Sequence, residues 1–256
     1  MRTCRTVEEI RAALEPRRDG AVGLVPTMGA LHGGHLALLA AARAECETVV
    51  MSLFVNPAQF GDPGDLDGYP RDEERDLAVA AEAGVDLVFA PAVEHMYPPG
   101  YQTWVEVTEL GSILEGVHRP GHFRGVATVC LKLFLIVRPA LAYLGQKDAQ
   151  QVEVLRRLVA DLELELELRV VPTVRDPDGL ALSSRNARLS PAERERALAL
   201  PRALATRDPE RTRELLRGLE VDYVEVAPFD PPVLAAAVRV GSTRLIDNVP
   251  LEGEER

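Results

Sequence analysis

Lysine is almost absent from this chain. Of 29 basic residues only Lys132 and Lys147 are lysine, and arginine supplies the rest. Acidic residues outnumber basic ones by 40 to 29, for a net charge of −11. That balance argues against the broad basic face of a nucleic-acid-binding protein. Cysteine is also scarce. Cys4, Cys46 and Cys130 are scattered, odd in number and without zinc-site spacing, so reduced thiols in a cytoplasmic protein are expected. No apolar run approaches the length of a membrane span, and residues 1–9 are charged where a signal segment would be apolar. No membrane partner is expected. The Walker pattern G-x-x-x-x-G-K-[ST] and the dinucleotide pattern G-x-G-x-x-G are both missing. So is any Ser/His/Asp or Cys/His catalytic set.

What is present centres on residues 23–39. An apolar run over 21–25 predicts a buried strand, which Pro26 is expected to stop. A glycine-bearing loop follows, and an alanine-rich helix is expected from near Gly34 to about Cys46. Strand, loop and helix start together leave backbone N–H groups at the positive end of a helix dipole, where a phosphate is stabilised. A plain surface turn would show the same outline. The distinguishing feature is the pair His32 and His35, with only Gly33 and Gly34 between them. His-x-Gly-His at the start of a first helix resembles the signature of the class I aminoacyl-tRNA synthetase and nucleotidyltransferase superfamily. Length and charge both disfavour a tRNA synthetase.

The rest of the chain alternates helical and strand patterns. A helix is expected over 6–14, strands over 49–55 and 86–90, a loop over 61–68 and a helix over 72–83. Residues 94–101 look irregular, and 103–107 read as a short strand that includes Trp104. Near-continuous apolar strands suit a parallel sheet covered on both faces. Ligands bind beyond the carboxyl ends of such strands, which makes Asn56 and Gln59 candidates for a small polar substrate. His118, Arg119, His122 and Arg124 cluster ahead of an apolar helix over 126–137, and together suit a carboxylate or phosphate. Lys132 lies on that helix, where a structural role stands equally open. A strand over 141–144 leads to Lys147, and Asp148 reads as the N-cap of a helix reaching Asp161. In a chain this committed to arginine, Lys147 marks a place suited to a compact point charge. A junction over 172–178 precedes Ser183-Ser184-Arg185, a phosphate-clamp pattern, and Ser190 opens a capping box. Helices over 191–217 and three strands, 221–226, 234–240 and 243–246, complete the chain. The expected fold is α/β: a Rossmann-like parallel-sheet nucleotide-binding domain over 1–173 and a smaller α+β domain over 174–256.

These pieces resemble the pantoate–β-alanine ligase (pantothenate synthetase) family. The matching stretches include Val25-Pro26-Thr27-Met28-Gly29-Ala30-Leu31-His32 with Gly34-His35, and Phe54-Val55-Asn56-Pro57 with Gln59-Phe60. Tyr69-Pro70-Arg71, residues 119–128 and 145–151, Ser183-Ser184-Arg185-Asn186 and residues 243–248 match as well. The resemblance implies a cytoplasmic homodimer that condenses pantoate with β-alanine, consumes ATP with Mg²⁺, and releases AMP and pyrophosphate through pantoyl adenylate. It implies ATP contacts at Met28, Gly29, Ala30, Leu31, His32, Gly33, Gly34 and His35, at Gly145, Gln146, Lys147 and Asp148, at Val174, and at Leu182, Ser183, Ser184 and Arg185. His35 would be the proton donor, with His32, Lys147 and Arg185 as the other catalytic groups. Gln59 would touch pantoate and β-alanine, Gln151 pantoate, and Asn56 belongs with them. The chain departs from the family pattern at Gly33 and Gln146, where glutamate is usual, and in a shortened region after Pro191. Acidic residues after Tyr69-Pro70-Arg71 would lie near the metal, but Arg75 interrupts them, so the Mg²⁺ ligand is left unassigned. The loop 178–189 is expected to close over ATP. A plain nucleotidyltransferase and a non-catalytic nucleotide sensor are the alternatives. The first would not need the Asn56, Gln59, Gln150 and Gln151 polar set. The second would tolerate loss of the histidines or Lys147.

Overall fold

The computed structural model describes residues 1–61 and 63–251. The chain divides into two compact units, one of residues 1–144 with 154–171, the other of residues 145–153 with 172–256.

The first unit is an α/β layer structure. Its sheet contains β1 (Arg2–Cys4), β2 (Val22–Thr27), β3 (Thr48–Leu53), β4 (Leu87–Phe89), β5 (Leu141–Gly145) and β6 (Glu167–Val171), in the order β1-β4-β3-β2-β5-β6. The pairs β1–β4, β4–β3, β3–β2 and β2–β5 are parallel. The chain runs outward from β2 through β3 to β4, then returns to the other side of β2 as β5. The order therefore reverses at β2, and the loop leaving its carboxyl end opens at a topological switch point. Leu39, Met51, Val88 and Tyr143 are buried in one core on this sheet.

The second unit carries an antiparallel sheet of β7 (Glu220–Ala227), β8 (Val233–Val240) and β9 (Thr243–Pro250). Helices Pro191–Ala197, Ala199–Leu204 and Pro209–Leu215 precede it. Leu200 and Leu204 pack with Leu234, Ala236 and Val238 in its core. Alanines on the central strand leave room for the helix side chains. The capping box at Ser190 and Glu193 forms as its sequence pattern requires.

Several boundaries differ from expectation. Pro26 lies inside β2, in register with Ser52, and does not end the strand. Pairing with β5 ends at Leu24, so proline falls where one side of the ladder has already stopped. Within 61–68 a short helix, Pro63–Asp67, replaces the expected loop, while Asp62 lies outside the described residues. Its closing carbonyls are held by Arg71, which donates to Leu66, Asp67 and Tyr69. A short helix, Val93–Met96, interrupts the irregular stretch. Residues 103–107 form no strand. The Val105 N–H donates to Thr128 Oγ1 at 3.0 Å, so this segment is tied to a helix and has no neighbouring strand. That helix, His122–Val137, begins four residues earlier than its apolar run suggests, because His122 and Phe123 are themselves buried.

Candidate active site

In the first unit the site is built at the end of β2. Gly29 (φ 83°) and Ala30 (φ 51°) turn the chain through two left-handed residues. The next residue but one, His32, caps the helix Gly33–Glu45. Its Nδ1 accepts from the Gly34 N–H at 3.1 Å, and His35 Nδ1 accepts from the His32 N–H at 3.3 Å. The two rings lie 4.1 Å apart by centroid. This is a capping box built from imidazoles, a role usually filled by hydroxyl and carboxylate groups. It also sets the tautomers. A neutral ring that accepts at Nδ1 carries its proton on Nε2, so both histidines are Nε2 donors.

The loop N–H groups of Ala30 and Leu31 donate to Asp76 Oδ2 and Oδ1, each at 2.8 Å. Those two amides are therefore engaged by protein and are not the phosphate donors that the strand-loop-helix outline suggests.

A second scaffold holds Gln59. After β3 the chain forms a 3-10 turn, Pro57–Gln59, capped by Asn56. The Asn56 Nδ2 donates to Gln59 Oε1 (2.9 Å) and to the Gly125 carbonyl (3.1 Å). Its Oδ1 accepts from the Ala58 N–H (3.3 Å) and from the Tyr97 hydroxyl (2.8 Å). The Asn56 amide is thus saturated by four protein groups and acts by orienting Gln59. His122 completes the frame: Nδ1 donates to the Gln59 carbonyl (2.9 Å), while Nε2 accepts from Arg119 (3.2 Å). The cluster Arg119–His122, expected to receive an anion, here braces the turn that carries Gln59. Arg124 sits 5.2 Å from the Trp104 ring centroid, and Lys132 Nζ sits 4.7 Å from that of Tyr101. Lys132 is thus a cation–π partner of the Tyr97–Tyr101–Trp104 group. Burial lowers its pKa.

Gly125 is required by this arrangement. A Cβ there would fall 2.6 Å from Gln59 N and closer still to the Ala58 carbonyl. Gly125→Ala is expected to displace the turn and to destabilise the fold by about 1–3 kcal/mol, the usual range for overpacking. Urea unfolding of the variant checks this. A midpoint equal to that of the parent would show that the turn yields freely.

In the second unit a 3-10 turn, Gln146–Asp148, follows Gly145 and leads into the helix Ala149–Asp161, with Gln150 and Gln151 in its first turn. The Lys147 turn is held from β9. Asn248 Nδ2 donates to the carbonyls of Gln146 (3.0 Å) and Lys147 (2.8 Å), and its Oδ1 accepts from Gln146 Nε2 (3.2 Å). Asp247 beside it accepts a bidentate pair from Arg175 at 2.7 and 3.0 Å.

Val174 and Leu182 close a hairpin through the Leu182 N–H to the Val174 carbonyl, 2.9 Å. Arg194 clamps its tip through Asp176 and Asp178. The Leu180 N–H, with Arg194, holds the Asp178 carboxyl below its ordinary pKa. Ser183 caps the 3-10 turn Ser184–Arg188, and Asn186 Nδ2 donates to the Ala181 carbonyl. These bonds tie the Val174–Asn186 segment into its own unit.

Lys147, Ser183, Arg185, Asn186, Arg244 and Asp247 line one pocket within this unit. Three cations and a hydroxyl suit a polyphosphate. Arg244 was not among the expected residues. It belongs to the run 243–248, whose signal was the family likeness and not a recognisable chemical pattern. Among the described residues, no three His, Cys, Asp or Glu side chains are grouped to hold a metal ion.

Comparison with known proteins gives a consistent result over the full chain. A family model described as pantoate-beta-alanine ligase matches residues 2–250. A pantothenate synthetase from Pelotomaculum thermopropionicum is 49% identical, with 97% of this chain and 98% of that protein covered. Among solved structures, pantothenate synthetase from Thermus thermophilus aligns with a TM-score of 0.94 at 48% identity, covering 99% of this chain and 100% of its own. Pantoate-beta-alanine ligase from Francisella tularensis, complexed with beta-gamma ATP and beta-alanine, aligns at 0.90 and 36% identity, with 99% of each chain covered. The imidazole cap after β2, the braced Gln59 and the cationic Lys147 pocket thus sit in a chain that belongs to the pantoate–β-alanine ligase family.

Proposed function

We propose that the chain joins pantoate to β-alanine with consumption of ATP, releasing AMP and pyrophosphate, through a pantoyl adenylate. As a member of its family the chain is an AMP-forming ligase. The His32–His35 pair carries the nucleotide chemistry in this reading, because both rings accept at Nδ1 and so offer an N–H at Nε2.

The nucleophile comes from the substrate. The pantoate carboxylate attacks the α-phosphorus of ATP and pyrophosphate leaves. The β-alanine amine then attacks the activated carbonyl and AMP leaves. No covalent enzyme intermediate is needed, so the task of the protein is positioning and charge stabilisation. His32 and His35 donate hydrogen bonds to phosphate oxygens. On this reading His35 acts as a neutral N–H donor, which refines the proton-donor role that the resemblance implies. Lys147 and Arg185 neutralise the departing pyrophosphate, with Ser183 and Ser184 as hydroxyl donors and Arg244 as a further cation. Gln59 binds the substrates through its amide, oriented by Asn56, and Gln151 takes pantoate.

Mg²⁺, when bound, would be held largely by the triphosphate and would neutralise its charge. Mg²⁺ keeps water and phosphate oxygens as ligands and needs few from protein, which suits a chain whose described residues hold no carboxylate cage. The reading includes a cytoplasmic homodimer. Three buried free thiols suit a reducing compartment.

ATP–pyrophosphate exchange tests the proposal. Exchange is expected only when pantoate is present and β-alanine is absent. Pantoate-independent exchange, or none in either condition, would remove the adenylate step and favour a nucleotidyltransferase or a nucleotide sensor.

A further inference from the structure

Asp76 has no place in the scheme above, yet it is 1% exposed and sits beside the nucleotide loop. Both of its oxygens are used, Oδ2 by the Ala30 N–H and Oδ1 by the Leu31 N–H. Consecutive amides around left-handed residues form a concave anion site of the kind that often cradles phosphate. Here the protein fills that concavity with its own carboxylate. Gly29 and Asp76 also interlock, since a Cβ at 29 would fall 2.7 Å from Asp76 Oδ2 and 2.9 Å from Leu53 Cδ1. The neighbouring Arg75 donates to the Leu31 carbonyl at 3.2 Å and lies 3.9 Å from Asp76 Oδ1. Three loop residues are thus gripped from one helix, Glu73–Glu82, whose Asp72 cap fixes its start.

We infer that Asp76 is a positioning residue for ATP. Its carboxylate locks the Gly29–Leu31 loop in the shape that sets His32 and His35 at the nucleotide, and it is not a ligand of the metal. The inference rests on the reading of the Met28–His35 loop as ATP-binding. Asp76 is 1% exposed and each of its oxygens already accepts a 2.8 Å hydrogen bond, so a hydrated metal ion could reach the remaining lone pairs only by drawing the carboxylate away from the loop N–H groups. Leaving a buried donor unpaired is unfavourable.

Asp76→Asn keeps the side-chain shape but turns one acceptor into a donor facing a loop N–H. Two readouts are combined. Amide hydrogen exchange without nucleotide reports the lock: Ala30 and Leu31 are expected to exchange at least about tenfold faster in the variant. Calorimetry with ATP reports the consequence: Kd is expected to rise at least about tenfold both in EDTA and in excess Mg²⁺, while KM for β-alanine stays unchanged. Gly29→Ala, which pushes on the same oxygen, should move both readouts the same way. The double variant should be weaker by less than the product of the single effects. Unchanged exchange at Ala30 and Leu31 would overturn the inference. So would a loss of ATP affinity confined to Mg²⁺-containing buffer and restored by more Mg²⁺, which would make Asp76 a metal ligand. A parent protein that binds no ATP in either buffer would instead remove the nucleotide reading, and this inference with it.

Discussion

His35→Ala is expected to give a folded protein whose pantoate-dependent ATP–pyrophosphate exchange falls by about 10²–10³. Removing one positioned donor from a transition state has that typical effect. Two roles are lost together. The ring offers Nε2–H toward phosphate, and its Nδ1 accepts the His32 N–H at the helix start. Loss of a cap lowers stability by about 1 kcal/mol, too little to unfold a domain of this size. His35→Asn separates the roles, because a short amide can still accept from the His32 N–H without reaching as far as the imidazole Nε2. Its stability should return toward that of the parent while exchange stays low. Near-normal exchange in a folded His35→Ala protein would remove His35 from the chemistry.

Lys147→Arg is expected to fold and to lose about 10² in turnover, comparable to removing a transition-state donor. The charge is kept, so the loss would come from shape. Lys147 is largely buried, its carbonyl is held by Asn248, and its Nζ is 3.5 Å from Asp148 Oδ1. The pocket already contains the guanidiniums of Arg185 and Arg244. A third planar fork, longer than the lysine stem and bound to a fixed backbone, has no equivalent position for its charge. Steady-state turnover, with circular dichroism to confirm folding, measures this. Parental turnover in the variant would show that the scarcity of lysine says nothing about position 147.

The parts of the fold that the sequence made readable are those governed by local rules. Ser190 with Glu193, the apolar face of the first helix, and the apolar strands around Leu24 and Val50 carry their own signals of capping or periodicity. β1 escaped notice because three residues cannot show a period, and its place follows from pairing with β4, more than 80 positions away. The site divides in the same way. His32, His35, Lys147 and the Ser183–Arg185 run stand out by residue type. The work of His122 and Asp76 does not, since each is defined by a partner distant in sequence. His122 looked like an anion receptor beside Arg119, yet its ring is turned to the Gln59 carbonyl. Asp76 sat in a charged run that reads as a solvated helix face. One clue was available: Ala80, four residues on and buried, places Asp76 on the inward face of that helix.

The hold of Asn248 on the Lys147 turn sets an order of events in the life of the chain. The carbonyls at 146 and 147 receive their donors from a residue made about a hundred positions later, near the end of the last strand. A ribosome must therefore synthesise past residue 248 before the turn can take its final form, even though the strands of the first sheet are made earlier. A nascent chain that stops before Asn248 therefore lacks the donors that hold the lysine turn.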